Sequence, residues 1–278
     1  MLAFLFFIHE FRNTSILILI VHCFRNYSIF KHIKYFFIVL IALQSSFTLA
    51  ANKTIVNVYA YHLKPPFIIN LDKKEGLYYD FVDYLNRNSD KYAFKFNFIP
   101  RKRVELLLEN NTLDGILIGV NPVWFKDKSE TKYLWSSRFL TDRDDVVSHA
   151  TKPVEYGNNQ ALIGKVFGGV RGYYYYGISE LIKEGKITRQ DTIGEPELLS
   201  MLLLKRVDAI IISNSTFSYL TLNGFDPKFF HISKKPHDMF ERRVLVPLAM
   251  KDIYSDIENL VLKSTADTEW QTAIQQYN

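Results

Sequence analysis

Residues 162–177 read LIGKVFGGVRGYYYYG. Val166, Phe167 and Val170 form a short apolar run between glycines, and a helical run follows from Ser179. That is the pattern of a buried parallel strand, a tight glycine turn and a helix. A turn of this kind presents backbone N–H groups at a helix N-terminus, a place to hold an anionic or polar small molecule. Here it carries Arg171 and four consecutive tyrosines, Tyr173 to Tyr176. Neighbouring side chains point in different directions and each buried hydroxyl needs a partner, so the four cannot all enter a core. Part of the run is expected to wall a cavity; the plainer alternative is a cover over the end of a sheet.

Outward from this turn, strands and helices alternate. Before it come a β-former run at Thr54 to Tyr61 and, after Pro65 and Pro66, a helix opened by Gly76 with Leu77, Phe81 and Leu85 on one face. Phe94, Phe96 and Phe98 then alternate with polar residues, Pro100 opens a helix bearing Val104, Leu107 and Leu108, and Leu113 to Val120 is the next strand. This βαβαβ order predicts a parallel sheet with helices on both faces. The order starts again with a strand at Lys165 to Val170, a helix from Ser179, a helix over Pro196 to Arg206 and a strand at Val207 to Ser213. Two α/β lobes follow. No Gly/Ser-rich linker separates them, which predicts a strand-like link near Phe139 to Asp145.

The first fifty residues differ in composition, with Glu10 the single acid against Arg12, Arg25, Lys31 and Lys34. Their apolar runs, Ser15 to Val21 and Tyr35 to Leu43, are shorter than the roughly 18 to 20 residues of a membrane-spanning helix. Lys31 and Lys34, the second run, and Thr48-Leu49-Ala50 have the layout of a signal peptide at about 31–50, with export and cleavage after Ala50. Residues 1–30 fit either an over-extended start or an anchoring segment. Cleavage removes the single cysteine, Cys23, and with it disulfides, thiol nucleophiles and Cys-based metal sites. It also lowers the net charge from +5 to about +2. With no stripe of Lys and Arg left, nucleic acid is set aside as a partner.

Several runs in order resemble the family 3 periplasmic solute-binding proteins of ABC transporters: YHLKPPF at Tyr61 to Phe67, the Gly76 helix with Asp80, PRKRVELLLENNTLDG ending in Asp114 and Gly115, the tyrosine turn, and LLLKRVDAIIIS with Asp208. Val244 to Lys251 looks like the strand that returns to the first lobe. The resemblance covers Ala51 to Asn278. It implies the two-lobed type II periplasmic-binding-protein fold, each lobe a mainly parallel sheet flanked by helices, with two crossover hinge segments. Lobe 1 would be 51–141 with 244–278, and lobe 2 would be 142–243. A small molecule would bind in the cleft of a monomer, with an ABC permease as partner and no cofactor or metal.

The site itself departs from the amino-acid-binding members. Where they carry an arginine for the ligand carboxylate, this chain reads Asn121 to Lys126, and a lysine lacks the bidentate fork. The acid that takes the ligand amine corresponds to Ser213, and Gly172-Tyr173-Tyr174 replaces a Gly-Ser-Thr-like turn. An ordinary α-amino acid is therefore not the expected ligand. Tyr61, Phe67, Trp124, Tyr173 and Tyr174 could stack on a planar or sugar-like ligand. Arg103 and Arg171 could meet a carboxylate or phosphate, with surface or structural pairing as the alternatives. Asp114 and Asp208 are expected to bond nearby loops.

An enzyme finds little footing. His62, His149, His231 and His237 show no metal spacing, and no nucleophile turn is present. Some periplasmic dehydratases share the fold and use a cleft carboxylate, for which Glu155, Glu180 or Asp144 would serve, but none lies in a diagnostic motif. A transglycosylase would need an appended catalytic domain, for which no length remains before Asn278. No catalytic residue is assigned; a ligand-sensing or partner-binding module without a transporter is the main alternative.

Overall fold

In the sequence TIVNVYA, Val56, Val58 and Ala60 fall on one face, and all three are buried. This alternation makes β1 (Thr54–Ala60), a strand with one face against a core. These bounds and those below come from the computed structural model, which describes residues 53–277. The expected leader, the expected cleavage after Ala50 and Cys23 lie outside the described residues.

Helix α1 (Leu77–Arg87) buries Leu77, Tyr78, Phe81, Val82 and Leu85, the stripe expected at helical spacing. β2 (Tyr92–Phe98) lies parallel to β1. Helix α2 (Arg101–Glu109) starts directly after Pro100, and the wholly buried β3 (Gly115–Val120) joins the other edge of β1, also parallel. The second half repeats the order with β6 (Val166–Val170), α3 (Ile178–Lys183), β7 (Thr188–Thr192), α4 (Glu195–Leu203), β8 (Ala209–Ser213) and α5 (Asn214–Leu222). There β6 is parallel to both β7 and β8.

Two long strands join the halves. β5 (Leu140–His149) pairs through Leu140 to Asp144 with β10 (Asp238–Val246), and through Asp144 to Ser148 with β8, both antiparallel. β10 pairs with β5 up to Arg242 and with β3 from Arg243, its ladder with β3 shifts register between Arg243 and Val244, and the short β4 (Leu134–Trp135) pairs with Leu245 and Val246. The sheet order is thus β2-β1-β3-β10-β5-β8-β6-β7, with β9 (Phe230–Ile232) attached to β5. The returning strand lies earlier than the expected 244–251. It stops before Pro247, which lacks an N–H for the ladder, and a 3₁₀ segment occupies Leu248–Ile253.

Two helices, α6 (Tyr254–Ala266) and α7 (Thr268–Gln275), close the first lobe. Trp270 of α7 is buried against Phe81 and Tyr84 of α1. The apolar cores divide in the same way. Two clusters draw on residues 56–140 and 244–277, and two others on 146–232. The chain therefore has two α/β lobes, and β5 and β10 form the hinge between them.

Candidate functional site

The loop after β1, the start of α2 and the loop after β3 bring Tyr61, His62, Lys64, Arg101 and Trp124 to the edge of the first lobe. Arg101 holds this group together: its guanidinium donates to Tyr61 Oη at 2.9 Å and to the Trp124 carbonyl at 2.6 Å, and its Nε pairs with Glu105. Tyr61 and His62 lie 4.1 Å apart between ring centroids, and Trp124 packs on His62 and Phe240. Asn121 fixes the Trp124 loop by accepting the Trp124 N–H.

From the second lobe come Tyr173 after β6, Glu195 at the start of α4, Ser213 at the end of β8, and Asp144 of β5 beside it in register. The lobes meet through Lys64. Its ammonium donates to Glu195 Oε1 at 2.6 Å and to Ser213 Oγ at 2.8 Å, and all three side chains are buried. Next to it, Thr216 Oγ donates to the Pro65 carbonyl at 2.7 Å. Tyr173 reaches Tyr61 across the lobes: burial pushes the Tyr61 hydroxyl up to about 12, Arg101 and Arg242 oppose this, and Tyr173 adds to it.

Behind these residues sits Arg242 of β10. It bonds Asp142 Oδ2 through Nη2 at 2.8 Å and Nε at 3.2 Å, donates to the Gly119 carbonyl at 3.1 Å, and lies 4.0 Å over the Phe67 ring. Asp142 also accepts from Ser215 Oγ at 2.7 Å. Burial raises the Asp142 carboxyl, and Arg242 with Ser215 outweighs this and leaves it below the usual range.

The residues singled out from sequence fall in different places. Tyr61, Trp124, Tyr173 and Ser213 lie at the cleft. Phe67 is fully buried and forms the floor under Arg242 rather than an exposed wall. Arg103 faces solvent, while Arg101, one helical half-turn away, reaches Tyr61. Lys126 is exposed in a left-handed conformation, and Arg171 is exposed. The four tyrosines separate: Tyr175 is core, packing on Phe167 and accepting the Val170 N–H; Tyr173 is 40% exposed at the cleft; Tyr174 bonds Glu180, and Tyr176 is 78% exposed. Gly172, at φ 82°, makes the tight turn. In this turn the N–H groups of Arg171, Tyr173 and Tyr175 are taken by the Thr192 carbonyl, the Val170 carbonyl and Ser179 Oγ, so these three do not face a ligand. Asp114 bonds Tyr59 and Asn57, and Asp208 bonds the Val166 N–H and Lys152.

Lys64, Arg101, Asp144, Glu195 and Arg242 complete the site and were not picked out as ligand-binding residues from sequence. Lys64 lies inside the YHLKPPF run, and Arg242 is a charge in the middle of an otherwise alternating strand, FERRVLV. Glu195 carries no comparable signal. A separate cavity of about 280 Å³ opens beside the hinge, lined by Asp142, Asn214, Ser215, Ser218, Ile274 and Tyr277 among others. None of the sequence-selected residues lines it.

Two titrating groups of the cleft oppose each other. Burial, with Glu195 and Asp142 adding to it against Lys64, pushes the Asp144 carboxyl up to about 7. Burial, then Arg242, Lys64 and Arg101, lowers His62 well below its ordinary 6.5. A raised acid stabilises the fold when protonated, so its contribution is present at low pH and lost as pH rises through about 7. A depressed histidine does the reverse: its contribution is lost as pH falls below 6.5, where the unfolded chain takes up the proton. The two contributions therefore run in opposite directions with pH. Denaturant titrations should show Asp144→Asn losing stability toward acid and His62→Gln gaining it, with the parent between them. Parallel pH profiles for all three proteins would contradict these placements.

Two α/β lobes joined by a pair of crossing strands, with side chains of both lobes converging between them, are the fold of the two-lobed periplasmic binding proteins. The chain matches an ancestral arginine-binding protein bound to arginine at TM-score 0.61, with 14% identity over 81% of this chain and 98% of that one. The GluR0 ligand-binding core in complex with L-glutamate matches at TM-score 0.62 and 14% identity, over 82% and 98% of the two chains. The periplasmic domain of BvgS from B. pertussis matches at TM-score 0.62 and 17% identity, over 82% of this chain and 43% of that one. By sequence the chain matches no protein-family model and no curated protein.

Proposed function

We propose that this chain is an exported solute-binding protein, a divergent relative of the family 3 binding proteins, which captures a small polar or aromatic ligand between lobes 51–141 with 244–278 and 142–243. The observation that carries this is the convergence of Tyr61, Arg101 and Trp124 from one lobe with Tyr173 and Asp144 from the other on a single interlobe cleft. Aromatic faces supply area and stacking, and Arg101 supplies a fixed donor fork to a polar edge. No step of bond making or breaking is assigned to these residues.

The neighbours in structure support binding as the role, and two of them hold amino acids. Here the ligand is not an ordinary α-amino acid, because Ser213 replaces an acid and no arginine follows β3 in the Asn121 to Lys126 loop. Delivery to an ABC permease by a monomeric carrier in the periplasm, with the leader cleaved after Ala50, completes the reading. A thermal-shift screen against aromatic acids, small sugars, oligopeptides, amino acids and polyamines tests it. A ligand at a hundred times its Kd adds about 2.7 kcal/mol, a shift of several degrees for a chain of this size. Stabilisation by aromatic or sugar-like compounds is the expected result; a melt unmoved by every class would overturn the reading in favour of a module that meets a protein partner.

A further inference from the structure

Lys64 leaves the first lobe on the loop after β1 and ends inside the second. Its side chain is 8% exposed and that of Glu195 5%, and the 2.6 Å ion pair between them is closed off by Ser213. Ser213 is itself braced by Thr216 at 3.0 Å, so the hydroxyl that receives the ammonium is fixed. Asp144 stands beside Ser213 in the sheet and within electrostatic reach of the same ammonium. Two carboxyl groups and a hydroxyl around one ammonium make a built cation seat. The chain fills that seat itself.

Separating the lobes would return Lys64 and Glu195 to water, and closing them strips both charges of solvent. Taking one partner away from such a pair is strongly unfavourable, and a second cation would leave one charge unpaired and buried, so the seat discriminates sharply against wrong occupants. A tethered ammonium also reaches the seat at high effective concentration, without the translational cost a free amine meets. We propose that Lys64 is a built-in occupant of the Glu195–Ser213 seat, which holds the lobes together in the absence of ligand and excludes free primary ammonium groups from the cleft. The inference rests on the reading of this cleft as the ligand site. Lys64 is then a specificity-determining residue, and the ligand that binds beside it carries no free amine.

The test uses the full chain with alkylammonium salts as probes. Lys64→Ala should melt roughly 5 °C lower than the parent and scatter with a larger radius of gyration. Ethylammonium or butylammonium should restore much of both in Lys64→Ala and leave the parent unmoved. Tetramethylammonium, which has no N–H, should restore neither, and Glu195→Gln in the Lys64→Ala chain should abolish the rescue. Where Lys64→Ala does not fold, Lys64→Met keeps most of the side chain's length without its charge, and its larger radius alone carries the same prediction. Unchanged melting and radius in the variant, or equal stabilisation of variant and parent by the amine, would overturn the proposal. The two readings fail separately: amine rescue with no ligand from the screen sinks the proposed function and leaves the seat standing, while an ammonium-bearing ligand that stabilises the parent does the opposite.

Discussion

Arg242→Met should lower the stability of the chain by about 3–5 kcal/mol, the usual cost of stripping one partner from a buried ion pair. Methionine keeps the length of the stem, so what is lost is the guanidinium: its charge, its stacking on Phe67 and its three bonds, to Asp142 and to the Gly119 carbonyl. Asp142 would stay buried with only Ser215 and the Arg143 N–H as donors. The consequence reaches the site because Gly119 belongs to the first lobe and Ser215 lies in the first turn of α5 in the second. Arg242 sits between them, next to the point where β10 changes partners. Adding Asp142→Leu to Arg242→Met should recover much of the loss, since the uncompensated charge goes with it. Equal denaturation midpoints for Arg242→Met and the parent would show that this pair does not hold the hinge.

The second large effect is expected at Gly119. Its φ is 76°, and a Cβ there would fall 1.8 Å from Tyr78 Oη and 2.4 Å from the end of that ring. Tyr78 cannot retreat, because it is fully buried and packs on Phe67, with its hydroxyl 3.3 Å from His62 Nδ1. Gly119→Ala therefore combines the roughly 1–2 kcal/mol of a left-handed non-glycine residue with an overpacking cost of similar size, about 3 kcal/mol together. Displacing Tyr78 also moves His62, so the aromatic group around Tyr61 and Trp124 should loosen with it. Thermal melts check the first consequence, and near-parent stability of Gly119→Ala would contradict the seating of Tyr78 against β3.

Strands buried on both faces were legible in the sequence. The apolar runs at β3, β6 and β8 admit few other readings, and Gly76 and Pro100 mark the starts of α1 and α2 directly. β7 escaped because TRQDT is polar and mostly exposed at the sheet's edge, so no hydrophobic alternation announces it. Within the candidate site, which tyrosine of the turn enters the core depends on the direction in which β6 ends. Arg103 and Arg101 are two residues apart, about 200° around a helix, so choosing between them requires the helix's orientation on the sheet. Phe67 lies in a recognisable run, yet its burial follows from Arg242, 175 residues later. Lys64 and Glu195 are 131 residues apart, and only the meeting of the lobes makes them a pair.

The central claim is that ligand binds between the lobes, on Tyr61, Arg101 and Tyr173. The most direct measurement is the thermal shift given by the strongest compound of the screen, repeated on Tyr173→Ala and on Ser218→Trp. Tyr173 is partly exposed and stacks little in the core, so its truncation should leave the unliganded melt near the parent's while removing most of the ligand's shift. Ser218 lines the separate hinge cavity, and filling it should leave the shift intact. A shift that survives Tyr173→Ala and disappears in Ser218→Trp would place the ligand at the hinge and contradict the account.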